Sequence, residues 1–290
     1  MRSVTPLLFA SLLTVACGAP APAAEGPAPP SPSQAQAPPT ATSAPSAAER
    51  SECPTGMRLV DGGRLRLGSP EGQGEANEHP QREVHLRPFC VDEVLVNLGA
   101  YAPCVENAIC DAAPETVLTE RPLSITENER ESALCTARFA KNLKGGDDLP
   151  VNCVSHRDAE RFCKWRGARL LTEAEFEWLA SGGEDRLKFP WGNSEPDEGR
   201  LCWQQEGGPC SVKAHPPQAL GVHDIVGNLA EWTSTPHAPY GDPDSPGEAV
   251  SVRGGSWRSR EAGEVRAKRR DARPPIHREA DLGFRCARDK

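Results

Sequence analysis

The chain has 290 residues, carries 33 Lys and Arg against 41 Asp and Glu, and has a formal net charge of −8. An acidic protein of this kind is a poor ligand for nucleic acid or for an anionic membrane surface, because both bind basic patches. The length suffices for one large domain with a buried core.

The N-terminus has the pattern of an export signal. Arg2 precedes an apolar run over residues 4–16, which is too short for a membrane-spanning helix. Small residues before Cys17 favour a lipoprotein signal in which Cys17 becomes the acylated N-terminus, although Thr14 stands where such signals usually carry Leu. Ordinary cleavage and free secretion is the alternative. We therefore expect residues 1–17 to be a signal peptide with a lipobox. The mature chain would be exported and would touch a bacterial envelope membrane only through its lipid.

Residues 18–52 are almost wholly Ala, Pro, Ser, Thr, Gln and Gly. Such a segment cannot bury enough apolar surface to order itself, and its prolines favour extended conformations. We predict a disordered tether, followed by a folded domain over residues 53–290.

Short strands separated by turns are predicted at the start of this domain. Apolar and polar residues alternate over 65–67 and again over 84–86, which is the period of two that strands show. Asn97 is placed to cap the helix that follows, with Tyr101 and Val105 on its apolar face.

A polar, irregular segment interrupts the pattern over residues 106–148. We interpret it as a surface insertion pinned by Cys110 and Cys135. One helix is predicted inside it, over residues 128–143.

Two helices are predicted after the insertion. Ser155 is placed to cap the first, which ends at Gly167, and Thr172 with Glu175 forms the capping box of the second, which stops at Gly182. Beyond this point loops and short strands should dominate. All six tryptophans follow residue 150 and are expected to anchor the core: Trp165, Trp178, Trp191, Trp203, Trp232 and Trp257.

Ten of the eleven cysteines remain when Cys17 is set aside. An even count in an exported chain predicts disulfide bonds. Cys202 with Cys210, and Cys104 with Cys110, enclose short loops and are candidate local pairs. The rest of the connectivity stays open at this point.

The stretch 221–232 contains a tight turn between two carboxylates. Asp224 and Glu231 are candidate calcium ligands, with the carbonyls of Gly227 and Leu229 completing the hard oxygen set that calcium prefers. The alternative is that Asp224 caps the turn and Glu231 pairs with an arginine. Spacing alone favours this alternative, because the pattern is not that of an EF-hand.

A series of short motifs is spread over nearly all of residues 57–288. In chain order they are Gly68-Ser69-Pro70-Glu71, Glu78-His79-Pro80, Phe89-Cys90-Val91-Asp92, residues 96–101, Pro150-Val151-Asn152-Cys153-Val154-Ser155, residues 169–177, Pro190-Trp191-Gly192-Asn193, residues 227–233, Arg253-Gly254-Gly255-Ser256-Trp257 and Leu282-Gly283-Phe284-Arg285. With these motifs in this order, the chain resembles the formylglycine-generating enzyme family, also called the sulfatase-modifying-factor domain.

This resemblance implies a single loop-rich α+β domain that is related to C-type lectins and stabilised by disulfides. It also implies a structural calcium at the loop that carries Asp224, which now outweighs the turn-and-arginine alternative. A disulfide between Cys163 and Cys286 is implied as well. The family's second calcium site uses an Asn at the position of Leu201, so the resemblance gives no second ion here.

The family's oxidases convert a substrate cysteine to formylglycine with two cysteines, five positions apart, that hold copper(I). The matching positions here are Ser259 and Glu264. A hydroxyl and a carboxylate are hard ligands for a soft ion, and a serine cannot form a mixed disulfide with a substrate thiol. We therefore expect neither copper nor the copper-dependent reaction. A sister branch uses iron held by histidines, but the seven histidines here show no pair at metal-ligand spacing.

The segment 253–278 is rich in arginine. It could form a basic patch that grips an acidic peptide, a sugar acid or a phosphate. The alternative, which we favour slightly, is internal pairing with the interleaved acids Glu261, Glu264, Asp271 and Asp281.

Three functional hypotheses follow. The first is a non-catalytic, monomeric binding module that recognises an extended peptide, a glycan or an envelope protein in a groove containing Arg258, Ser259 and Glu264. The second is a divergent enzyme that acts on peptidyl or secondary-metabolite substrates without copper, with Glu264 as its acid or base. The third is a purely structural envelope protein.

Overall fold

The computed structural model describes residues 53–242, 244 and 247–290. The predicted signal peptide with Cys17 and the predicted tether over 18–52 lie outside the described residues. The strands of the described part are Met57–Val60 (β1), Gly63–Leu67 (β2), Arg82–Leu86 (β3), Phe89–Asp92 (β4), Arg169–Leu170 (β5), Ala230–Pro236 (β6), Val250–Arg253 (β7), Arg270–Arg273 (β8), Leu282–Gly283 (β9) and Cys286–Asp289 (β10).

Helices alternate with these strands. The α-helices are Leu98–Glu106 (α1), Ile125–Ser132 (α2), Thr136–Phe139 (α3), His156–Trp165 (α4) and Glu173–Ala180 (α5). Short 3-10 turns cover Ala76–Glu78, Ala140–Asn142, Gly146–Asp148, Gly183–Asp185, Ala219–Gly221 and Ala262–Val265. No helix in the described part of the chain is long and apolar enough to cross a bilayer.

The strands form three small sheets. The first has the order β1-β4-β10-β5 and is antiparallel, so the last strand lies between segments from the beginning and the middle of the domain. The second is the β2–β3 hairpin. The third has the order β8-β7-β6-β9, in which only β6 and β9 run parallel. This mixture of short strands and helices is the α+β architecture that the resemblance implies.

Side-chain caps fix the starts of three predicted helices. Asn97 accepts a hydrogen bond from the backbone N–H of Ala100 at 2.9 Å and begins α1. Ser155 and Thr172 form capping boxes at α4 and α5, as their sequence patterns predict. Gly167, with a positive φ of 68°, follows α4 and lets the chain turn into β5.

The helix predicted over 128–143 is wrong in its bounds. Ser124 and Glu127 form a capping box, so α2 begins earlier and ends at Ser132. Cys135 is extended, with φ −70° and ψ 121°, because its disulfide to Cys153 ties it to the body of the domain. The chain therefore continues as the separate short helix α3.

Five disulfides join the described cysteines in pairs. The structure contains the three pairs named from the sequence: Cys163–Cys286, Cys104–Cys110 and Cys202–Cys210. It adds Cys53–Cys90 and Cys135–Cys153, so Cys110 and Cys135 each tie the insertion to its own flank. Disulfides in this number are typical of proteins that mature outside a reducing cytoplasm.

Tryptophans and phenylalanines fill the space between the sheets and helices. Trp178, Trp203, Trp232 and Trp257 are buried, and Trp191 is half-buried. Trp165 does not meet the expectation of a core anchor, since it is 36% exposed at the end of α4. Its ring lies against the edge of the core, with its centroid 5.8 Å from that of Phe162.

Candidate functional site

The predicted groove residues lie on the loop that leaves β7 after Arg253. Gly255 has a φ of 63°, and a Cβ there would lie 2.7 Å from the carbonyl oxygen of Glu264 and 2.9 Å from the Ser259 hydroxyl. The loop therefore closes on itself only with glycine at this position. Ser259 is buried, and its hydroxyl accepts a hydrogen bond from the backbone N–H of Ser256 at 3.1 Å.

Glu264 also holds the backbone of this loop. Its carboxylate accepts hydrogen bonds from the N–H groups of Arg260, at 2.6 Å, and Glu261, at 2.9 Å. It thus caps the 3-10 turn Ala262–Val265. A carboxylate committed to two backbone donors is poorly placed to act as the acid or base of an enzyme, as the second hypothesis requires.

Arg258 connects the loop to the insertion. Its Nη2 donates to Glu131 of α2 at 2.6 Å, and its guanidinium lies 4.5 Å from the centroid of the Trp257 ring. Glu131 is 127 residues distant in sequence, so nothing local in the sequence identified it as part of the site. The insertion is therefore one wall of the site.

The structure brings all three predicted groove residues together. Arg258, Ser259 and Glu264 line one cavity of about 130 Å³. A second cavity, of about 180 Å³, lies against the insertion and shares Arg258 and Asp281 with the first. Both are smaller than the usual range of roughly 300–1,000 Å³ for a small-molecule pocket, so a polymer would lie across this surface rather than inside it.

Asp281 is a site residue that the sequence suggested only as an arginine partner. It accepts a hydrogen bond from the Ser256 hydroxyl at 3.2 Å. Desolvation raises the pKa of Asp281 above its ordinary value, although the charge of Arg258 acts in the opposite direction. Among the acids that line this cavity, Asp281 has the raised pKa that an enzymatic acid requires.

The arginine-rich segment is paired internally, but mostly not with the predicted partners. Of the four acids named from the sequence, only Asp271 forms an ion pair with an arginine of this segment in the described part of the chain. The ion pairs are Arg253 with Glu173 and Glu177, Arg258 with Glu131, Arg260 with Glu206, Arg266 with Glu78, Arg269 with Glu75 and Asp271, Arg270 with Glu173, Arg273 with Glu279, and Arg278 with Asp158. Because these carboxylates come from remote elements, the arginines bind the parts of the domain together.

A buried charge network anchors the start of the site loop. Arg253 donates to Glu173 at 2.9 Å and to Glu177 at 2.8 Å, and Arg270 donates twice to Glu173, at 2.8 and 2.9 Å. Burial opposes ionisation of Glu173, but the charges of Arg253 and Arg270 prevail and lower its pKa. Helix α5 is thereby fixed to β7 and β8.

The loop of Asp224 has features of both the calcium interpretation and the turn-and-arginine interpretation. Glu231 pairs with Arg285, whose Nε lies 2.9 Å from each carboxylate oxygen and whose Nη2 lies 2.7 Å from Oε1. Asp224 is only 1% exposed, and neither of its carboxylate oxygens has a well-formed hydrogen bond to a described residue, although the nearby Asn228 side chain acts to lower its pKa. Positive φ angles at Asp224, Gly227 and Asn228 curl the loop.

This geometry fits a cation on the Asp224 side of the loop. Burial raises the pKa of Asp224, and the charge of Arg285 offsets only part of this effect. The described residues contain no group of three or more His, Cys, Asp or Glu side chains placed to hold a metal ion. A calcium here would therefore depend on backbone carbonyls, those of Gly227 and Leu229 in particular. Leu201 is buried and supplies no side-chain oxygen for a second ion.

Comparisons with known proteins agree with this architecture. Inactive C-alpha-formylglycine-generating enzyme 2 of Mus musculus is 29% identical over 266 residues, covering 80% of this chain and 85% of the relative. The formylglycine-generating enzyme of Thermomonospora curvata is 31% identical over 290 residues, covering 82% and 95%. The solved structure of PvdO from Pseudomonas aeruginosa superposes with a TM-score of 0.62 at 23% identity, covering 81% of this chain and 94% of that one.

The family comparison covers the whole described region. The profile of the sulfatase-modifying factor enzyme 1-like domain matches residues 41–290. The fold, the disulfides and the motif positions lie within that match. The chain therefore belongs to the family of sulfatase-modifying factor enzyme 1-like domains.

Proposed function

We propose that this chain is a non-catalytic member of its family that recognises an extended peptide or glycan. One observation carries the proposal. Ser259 and Glu264 stand where the family's oxidases carry copper-binding cysteines, and both side chains are hydrogen-bonded to the backbone of their own loop. They stabilise the scaffold of the site without supplying its redox chemistry.

No other thiol of the described region can replace the missing pair. All ten cysteines between residues 53 and 290 are in disulfides. Copper(I) prefers thiolate or thioether sulfur, whereas Ser259 and Glu264 offer only oxygen. The oxidation of a substrate cysteine would therefore lack both its metal and its thiol partner.

Overall sequence identity does not show whether this chain is more similar to active or to inactive members of the family. The chain is 29% identical to a relative named inactive and 31% identical to one named formylglycine-generating enzyme. The two values are too close to separate these classes. The side chains at positions 259 and 264 therefore carry the argument.

The recognition surface is the one around Arg258, between the two small cavities. Arg258 is 34% exposed and already binds the carboxylate of Glu131. A ligand with an acidic group, such as an acidic peptide or a uronic acid, would compete with Glu131 for this guanidinium. We place this surface on an exported, lipid-anchored monomer that meets peptides, glycans or proteins of the cell envelope and no nucleic acid.

The proposal includes a structural calcium. Asp224 would hold it together with the carbonyls of Gly227 and Leu229, and Glu231 would supply an oxygen while it remains paired with Arg285. A bound calcium would neutralise a buried carboxylate and brace the turn next to β6. No catalytic role is assigned to it.

Two measurements on the purified protein test the proposal. The first incubates it with copper(I) and a Cys-x-Pro-x-Arg peptide and searches for formylglycine by mass spectrometry, where we expect none. The second screens immobilised envelope peptides and glycans, and we expect binding that is lost in Arg258→Ala and kept in the matched control Arg260→Ala. Formylglycine in the first assay, or binding indifferent to Arg258, would contradict the proposal.

A further inference from the structure

A large cavity lies apart from the site loop. Its volume is about 700 Å³, and it is bounded by the loop around Ser69, by residues 186–193, and by Arg266 and Lys268. None of its lining residues lines the cavity around Ser259. It falls within the range of roughly 300–1,000 Å³ that is usual for small-molecule sites.

The lining of this cavity is basic, although the chain as a whole has a formal charge of −8. Its cationic side chains are Arg66, Arg186, Lys188, Arg266 and Lys268, and its one carboxylate is Glu75. Glu75 is itself paired, with Arg269. A concave surface lined by one sign of charge concentrates ligands of the opposite sign.

Three of these cations have no partner among the described residues. Lys188 pairs with Glu195, and Arg266 pairs with Glu78. Arg66, Arg186 and Lys268 make no ion pair and donate no side-chain hydrogen bond within the described part of the chain. In this they differ from the arginines of segment 253–278, each of which forms an ion pair with a carboxylate of the domain.

Lys268 is the most constrained of the three. Its side chain is half-buried, and desolvation lowers its pKa. The charges of Glu177 and Glu78 oppose this effect, while those of Arg186 and Arg266 add to it. An anion bound between these cations would remove part of their mutual repulsion.

The walls of the cavity are held in place by neighbouring hydrogen bonds. Arg266 donates to Glu78 at 2.7 and 3.1 Å, and the Ser69 hydroxyl donates to the same carboxylate. Gln81 donates to the carbonyl of Gly68 at 2.9 Å. The site is therefore preformed, and binding would require little ordering of the loop.

We propose that this cavity binds a small molecule that carries two or more phosphate or sulfate ester groups. Three unpartnered cations match at least two negative charges, and the planar guanidinium groups of Arg66 and Arg186 suit tetrahedral oxyanions. This site is independent of the recognition surface at Arg258, and it does not rest on the function proposed for that surface.

Calorimetric titration of the full chain at low ionic strength tests the proposal. The probes are myo-inositol hexakisphosphate, sucrose octasulfate, inorganic phosphate and uncharged myo-inositol. The first two separate phosphate from sulfate esters. The variants are Arg66→Gln and Arg186→Gln, with Arg64→Gln as the matched control, since Arg64 is exposed on the same face of β2 but does not line the cavity.

We expect one polyanion per chain, no heat from myo-inositol, and affinity that falls as salt is added. Each test variant should weaken binding by about tenfold, because each removes one charge-assisted contact, and Arg64→Gln should bind like the parent. Absence of binding by both polyanions would overturn the proposal. An equal loss of affinity in Arg64→Gln would also overturn it, because the polyanions would then be attracted to positive charge in general and not to this cavity.

Discussion

A buried carboxylate without a well-formed hydrogen bond, as at Asp224, is rare in proteins because desolvation of a charge is costly. Glu231 avoids this cost through Arg285, whereas the Asp224 carboxylate forms no ion pair within the described part of the chain. The calcium ion that we propose would complete the surroundings of Asp224.

Chelation should therefore destabilise the protein. We expect EGTA to lower the melting temperature and added calcium to restore it, because a ligand that binds only the folded state stabilises it. The effect is about 2.7 kcal/mol when free calcium is roughly a hundredfold above its Kd. Asp224→Asn should abolish the response to calcium, whereas the exposed Asp61→Asn should keep it. A melting temperature indifferent to EGTA, with Asp224→Asn as stable as the parent, would support the turn-and-arginine interpretation instead.

Because of Glu78, the unfolding free energy of the protein should depend on pH in the acidic range. Burial alone would raise its pKa, but hydrogen bonds from Arg266 and Ser69 lower it below its ordinary value of 4.5. A lowered folded-state pKa stabilises the fold above pH 4.5, and this stability is lost as the pH falls toward the folded-state value. Glu78→Gln should thus flatten the dependence of unfolding free energy on pH below 4.5 in denaturant titrations. Glu71→Gln, an exposed change in the same loop, should leave that dependence as steep as in the parent.

Among the elements, α5 depends most on buried charge. Arg270 and Glu173 have side chains that are 1% and 2% exposed. Arg270→Met should lower the unfolding free energy by roughly 3–5 kcal/mol, because it leaves a buried carboxylate short of one partner. The exposed pair of Arg200 and Asp197 is the control, and Arg200→Met should cost less than about 1 kcal/mol. Equal losses in urea unfolding would show that burial is not what makes the first pair important.

The disulfides should contribute differently to the free energy of unfolding, according to the length of the loop that each one closes. Cys163–Cys286 spans 123 residues and Cys104–Cys110 spans 6. Loop entropy assigns about 4–5 kcal/mol to the first and about 2 kcal/mol to the second. Replacing both cysteines of each pair by Ala, in separate variants, tests this ratio by chemical denaturation. A larger loss from the short loop would contradict the entropic account.

Helix starts could be predicted from the sequence because their causes are local. Ser155 and Thr172 act within three residues of themselves, so their capping boxes can be identified without a fold. The helix predicted over 128–143 was misjudged because its interruption at Cys135 depends on Cys153, to which the sequence did not assign it.

The ion-pair partners of the arginines could not be predicted from residues that are near them in the sequence. Arg258 meets Glu131 across 127 residues, and Arg266 meets Glu78 across 188. Strands of two residues such as β5 and β9 are too short to show any alternation. The motifs were sufficient to identify the family, because a family is recognised from the order of its motifs in the sequence.

At the scale of the whole molecule, the chain has its family's fold, and we propose that it lacks the residues of one reaction. The sheet that contains β1, β4 and β10 joins the two ends of the domain, and the buried network of Arg253 supports the site loop. The side chains that maintain this architecture are in place, whereas positions 259 and 264 carry Ser and Glu, which offer oxygen and no sulfur.

Restoring those ligands should restore metal binding if the scaffold is otherwise intact. The variant Ser259→Cys with Glu264→Cys places two thiols on the loop, and Ser259→Cys alone is its control. Cys17→Ala in every sample removes the one cysteine outside the disulfide-bonded region.

The decisive measurement is the stoichiometry of tightly bound copper(I) in competition with a chromophoric chelator. We expect no tightly held copper in the protein with its own Ser259 and Glu264, and about one ion in the double-cysteine variant, since two thiolates form a soft site. One equivalent of copper(I) held at the loop by the unaltered residues would contradict it.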